Sequence, residues 1–145
     1  MENQDPEEKP KGIKSAVNAL WASLAVGLVK ALLDFAHISA MAPAAFIIIV
    51  WITTIAFIAF LIAKISAGRN WARIVLLILF ALGILPALYT MFAEFGRAPV
   101  MGALSLLQMG MQVYALVFLF TQPGSVWFRK AKLAQNDAFY PRGQL

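Results

Sequence analysis

Four charges interrupt sequence that is otherwise strongly apolar. Lys30 and Asp34 stand four residues apart, and Glu94 and Arg97 stand three apart. Residues at these spacings share a helix face, so each place offers an acid beside a base. A charged group inside a bilayer is expensive and marks an ion or proton path by default. Close to an interface the same groups have a plainer task, as a neutralised rim that holds helices in register. The rim is the leading expectation here and a proton- or ion-handling site the second. Lys30 either snorkels outward or pairs with Asp34. His37 follows Asp34 by three and faces the same way. A metal site there would need Glu94 or a second chain to complete its ligands. The favoured reading is therefore an outer-loop histidine that simply titrates, and neither a metal nor another cofactor is expected.

A second set is polar but uncharged. Gln108 and Gln112 are four apart, Thr53 and Thr54 adjacent, and Tyr89 and Thr90 follow Pro86. Asn18 lies nearer the N-terminus. Such groups commonly hydrogen-bond between membrane helices at about 1 kcal/mol or less each. The alternative is a stripe lining a solute path, which Gly83 and Pro86 favour because they kink a helix and free its carbonyls. Ser23-x-x-x-Gly27 permits close helix approach. Met101, Met109 and Met111 give an adaptable surface for packing or for a partner.

The elements that carry these residues follow from composition. The chain is 61% hydrophobic and 13% charged over 145 residues, far from the quarter charged that is usual in water-soluble domains. The absence of cysteine excludes disulfides, thiol catalysis and cysteine metal sites. Four stretches reach the roughly 20 apolar residues of a spanning helix: 15–35, 44–63, 74–95 and 101–120. Barrel strands are half as long and alternate in polarity, so the fold expected is an all-α membrane protein, four transmembrane helices in an up-down bundle. Short connections leave no room for a soluble domain. Residues 1–14 read as a disordered cytoplasmic segment, 15–121 as the transmembrane domain, and 122–145 as a cytoplasmic or interfacial tail in which Phe139 and Tyr140 could meet a partner. The first span resembles a signal peptide at Ala40-Met41-Ala42, but Pro43 after that site and Lys30 and Asp34 within the apolar run argue for its retention.

Basic residues set the orientation. Lys9, Lys11 and Lys14, then Lys64, Arg69 and Arg73, then Arg129, Lys130, Lys132 and Arg142 fall on one side, against Lys30 and Arg97 on the other. The positive-inside rule predicts both termini in the cytoplasm. Topology accounts for the net charge of +5, so nucleic acid is not an expected partner.

Two inward loops repeat a pattern, G-x-x-W-x-R, as GRNWAR at 68–73 and GSVWFR at 124–129. Gly68 and Gly124 are expected to end helices with positive φ. Trp71 and Trp127 suit the headgroup layer. Arg69, Arg73 and Arg129 suit an anionic inner leaflet, and Asn70 is placed to cap the third span. Ala42-Pro43 and Ala98-Pro99 keep the same 56-residue offset, so the chain reads either as two hairpins in parallel repeat or as convergent helix ends.

The first copy also resembles a loop in small bacterial inner-membrane proteins of four helices, which carry G-x-N-W-A-R after the second helix and whose function is largely unassigned. The similarity runs from the second span to the tail, including LSLLQ and FLFTQPGSVWFR. It implies a bacterial cytoplasmic membrane and supplies no catalytic residue. Two functional readings remain. The leading one is a non-enzymatic accessory, regulatory or immunity-type subunit that meets other membrane proteins. The other is a homo-oligomeric transporter or channel for ions or small solutes.

Overall fold

A computed structural model describes residues 9–122 and 124–139. Every element among them is a helix: α1 Lys11–Leu33, α2 Phe35–Ser39, α3 Ala44–Ser66, α4 Asn70–Arg97, α5 Pro99–Phe120 and α6 Gly124–Phe139. Helices α1, α3, α4 and α5 are long and apolar enough to cross a membrane, and the chain has the architecture of a multi-pass membrane protein. Lipid leaves no other partner for the backbone, which explains why β-branched runs such as Ile47-Ile48-Ile49-Val50 fold as helix. The first helix starts at Lys11 rather than at Ser15. The Pro10 carbonyl accepts the Ile13 and Lys14 N–H groups at 2.9 and 3.1 Å, so residues 11–14 form the first turn of a helix.

The spanning helices form a ring. Helix α1 packs on α5 and α3, and α4 packs on α5 and α3, leaving α1 and α4 diagonally opposed. The α1–α5 contact is the most extensive. Connections differ in stiffness. Between α4 and α5 stands a single extended residue, Ala98, with Pro99 as the first helical residue. The turn is tightened by Gly102, where a Cβ would collide with the Phe95 ring. Between α1 and α3 the chain inserts the one-turn helix α2, whose Phe35 meets Trp51 edge-to-face at 5.7 Å.

The helix α3 ends as expected at Gly68, with φ +76. The Gly68 N–H donates to the Ile65 carbonyl and the Arg69 N–H to the Lys64 carbonyl, which is the Schellman arrangement. Gly124 behaves differently. It opens α6 instead of ending α5, and it has no positive φ. Its glycine is needed because a Cβ would strike the Phe118 carbonyl. Asn70 is also not a cap: it is the first residue of α4, after Arg69 at the N-cap, and its Oδ1 is buried without a hydrogen-bond partner among the described residues.

Ile47 and Met91 are buried apart from the packed core cluster, which occupies the end of the bundle that carries Pro10, the α3–α4 turn and α6, called the inner end. Ile13, Leu61, Ile65, Leu119 and Phe128 are fully buried there, joined by Leu20, Leu76 and Leu116 deeper in the bundle. Phe128 comes from α6, which folds back beneath the spans. Trp127 lies against the α3–α4 turn, where a Cβ on Gly68 would sit 3.2 Å from its ring. The two G-x-x-W-x-R copies thus touch each other. Trp71 is nearly half exposed and leans on Phe60 at 6.1 Å. Tyr140 lies outside the described residues, and so does the side chain of Phe139.

Candidate functional site

Outward from Leu20, Leu76 and Leu116 the bundle is hollow. A cavity of about 480 Å³, only partly enclosed, is lined by all four spanning helices. Its walls are mostly apolar, from residues such as Leu24, Ile55, Ile58, Phe80 and Ile84. Ser23, Thr54, Thr90, Ser105, Gln108 and Gln112 add polar groups, and Lys30 adds the charge. The space exists because small residues face it. Gly83 has nothing within 4 Å of where a Cβ would stand. At Gly27 a Cβ would lie 2.8 Å from Gln108 Nε2, so the missing side chain lets the amide reach across to α1. Gln108 and Gln112 make no side-chain hydrogen bond to another described residue, which leaves their amides for whatever fills the space.

A charged rim roofs the cavity. Lys30 Nζ lies 2.7 Å from Glu94 Oε1 and 2.9 Å from Oε2. Ser105 Oγ joins the pair, accepting from Lys30 and donating to Glu94 Oε2. Three helices, α1, α4 and α5, therefore meet at one cluster. Beyond it Arg97 grips Asp34 with two parallel bonds, Nη1 to Oδ1 at 2.8 Å and Nη2 to Oδ2 at 2.9 Å. The hydrogen bond from Arg97 holds the Asp34 carboxyl below its ordinary range, with the charges of Arg97, His37 and Lys30 acting the same way. Both pairs join the diagonal helices α1 and α4 across the mouth. Pairing between helices replaces the Lys30–Asp34 pairing along one helix that the spacing allowed. A smaller space of about 240 Å³ is lined by Lys30, Asp34 and Glu94 together with Trp51 and Gln108.

The sequence-derived candidates divide accordingly. Lys30, Asp34, Glu94 and Arg97 converge. His37 sits exposed on α2 beside them, and among the described residues no three metal-ligating side chains gather. Thr54, Gln108 and Gln112 line the cavity; Thr53, Tyr89 and Asn18 face outward, Tyr89 at 78% exposure. Met109 belongs to the cavity wall rather than to an outer surface. The helix α4 runs unbroken through Pro86, which still denies the Leu82 carbonyl its helical donor. Ser105 was missed by sequence reasoning, although positions 105, 108 and 112 form one stripe on α5. Ser23, read as a packing residue, is both buried and cavity-lining.

At the inner end, Arg73 does not reach for the leaflet. Its Nη1 donates to the Leu119 carbonyl at 2.9 Å, and its guanidinium lies 5.0 Å from the Phe120 ring and 4.5 Å from the Phe128 ring. It fastens α4 to the end of α5 and to α6. Arg129 is exposed, and Arg69 lies in the turn before α4. No family model, no curated protein and no solved structure matches this chain.

Proposed function

We propose that this protein is a multi-pass component of a bacterial cytoplasmic membrane, with both termini in the cytoplasm, that binds a small solute inside its bundle and carries it. The hollow outer half is the observation that supports this reading: a cavity of about 480 Å³ with a few convergent polar groups on largely apolar walls fits the usual character of small-molecule sites. One chain supplies the whole cavity, so assembly into an oligomer is not needed to make the site. The packed inner end argues for a carrier that must rearrange, against an open pore. Topology draws on the basic residues, with Lys9, Lys64, Arg129, Lys130 and Lys132 at the packed end and Lys30 and Arg97 at the rim.

The test is uptake of labelled solutes into vesicles containing the purified protein. Gly83→Phe, which fills the cavity, and Gln108→Leu, which removes its amide, should each cut uptake at least tenfold without changing thermal unfolding. Uptake unaltered by both substitutions would sink the carrier reading.

A second reading, an accessory subunit of a larger membrane complex, has α6 in its favour. That segment is an ordered helix at the cytoplasmic end, with Arg129, Lys130 and Lys132 exposed. Native mass spectrometry of gently extracted membranes separates the two: a foreign subunit in fixed ratio supports the accessory role, and the chain alone or with itself supports the carrier.

A further inference from the structure

We infer that the cavity takes a monocarboxylate with an apolar body, held by its carboxylate at Lys30 and Gln108. The inference rests on the carrier reading and names its substrate class. Among the described residues lining the cavity, Lys30 is the charged one; Glu94 instead lines the smaller space above. At the roof the Lys30 ammonium is held by Glu94 and Ser105. An ammonium has three N–H donors, and Glu94 Oε1, Glu94 Oε2 and Ser105 Oγ take all three, so an incoming carboxylate binds by displacing Glu94. Beside it stands the Gln108 amide, drawn over α1 by the missing Cβ of Gly27. An anion placed there meets a cation and a neutral donor in a medium that strengthens both contacts.

The rest of the wall fixes the body of the ligand. Leu24, Ile55, Ile58, Phe80 and Ile84 line the space below the roof. They offer apolar contact and no second cation, which disfavours a dicarboxylate. The volume suits a single-chain or single-ring acid and is too small for a two-chain phospholipid. A quaternary ammonium amphiphile would face Lys30 with like charge.

Glu94 and an incoming carboxylate compete for one ammonium. That competition gives the proposal a signature that a purely structural ion pair lacks. Lys30→Gln and Glu94→Gln break the same salt bridge, so a structural role moves both variants in the same direction. A binding role moves them in opposite directions.

The experiment uses the full chain in phosphatidylcholine nanodiscs, titrated calorimetrically with decanoate, decanol and decyltrimethylammonium at pH 7.5. Gly83→Phe serves as the blank for partition into the bilayer. Decanoate should bind at least tenfold tighter than either analogue. Lys30→Gln should lose at least tenfold in affinity, Lys30→Arg should restore most of it, and Glu94→Gln should gain severalfold. Equal binding of decanol and decanoate, both abolished by Gly83→Phe, overturns the carboxylate and leaves the carrier reading standing. Loss of decanoate binding in both Lys30→Gln and Glu94→Gln overturns it in the same way. If no probe distinguishes the wild type from Gly83→Phe, the cavity is not a binding site and both proposals fall.

Discussion

The two halves of this bundle solve different problems with the same four helices. The inner half is filled. Ile13, Leu61, Ile65, Leu119 and Phe128 have no exposed surface, and Arg73 is spent on the Leu119 carbonyl and two aromatic rings. The outer half is empty at its centre and held at its margin by two ion pairs. Tight packing and open space are thus separated along the bundle axis. Side chains in a filled region are fixed by their neighbours, whereas around the hollow region Lys30, Glu94 and Ser105 satisfy one another and the Gln108 and Gln112 amides border open space.

Substitutions test that division, and the inner half should give the largest effects. Phe128→Ala removes a fully buried ring from the inner plug and is expected to cost about 3–5 kcal/mol, seen as a fall in the thermal unfolding midpoint in detergent. A loss no greater than that of an exposed α4 substitution such as Leu85→Ala would show that the inner half is not the stable one. Next comes Arg73→Leu. It strands the Leu119 carbonyl and loosens α6, at about 1–3 kcal/mol for the buried acceptor. Faster amide exchange in α6 with little change in α3 would confirm the placement; uniform acceleration would refute it.

Gly68→Ala forces a Cβ into a left-handed turn and against Trp127. The backbone cost is about 1–2 kcal/mol, read from the same unfolding midpoint, and an unchanged midpoint would mean that α6 does not press on this turn. The rim should respond least. Asp34 has a depressed carboxyl pKa in the fold, so its contribution is complete above the ordinary carboxylate value and is lost as pH falls through the lowered one. Stability should therefore decline with acid below about pH 4, and Asp34→Asn should flatten that decline by lowering the midpoint at pH 7 toward its acid value. A flat wild-type profile in that range would show that the Arg97–Asp34 bond is absent in solution.

Much of the fold was legible because lipid leaves so few solutions. Length and apolarity identified four helices, and their positions near the outer ends of the first and third spans placed Lys30, Asp34, Glu94 and Arg97 at one level. Partner choice was not legible. Which helix stands across from which depends on the order of the ring and on the azimuth of each face, and nearly uniform apolar helices carry little azimuthal signal. That is why Lys30 could be matched to Asp34 on spacing alone when it reaches Glu94. The same ambiguity explains Thr53 and Tyr89, which face outward, beside Thr54 and Gln108, which face in. The inner loops misled for a different reason. Gly-Trp-Arg is a good interfacial composition in general, but in this chain α6 folds back over the first copy. That contact turns Arg73 inward and puts Gly124 at a helix start, and no local pattern announces it.

The connections between the spans carry one more consequence. Ala98 joins α4 to α5 with no slack, Gly102 and Phe95 lock that hairpin, and α1 holds α5 along the longest contact in the molecule. Three of the four walls are therefore one rigid frame. Helix α3 is attached otherwise: its inner end is trapped between the Gly68 turn and Trp127, while its outer end hangs from the four residues 40–43 after α2. Of the four walls α3 is therefore the one whose tilt would disturb the fewest contacts, and the Phe35–Trp51 contact is what opposes such a tilt at its far end.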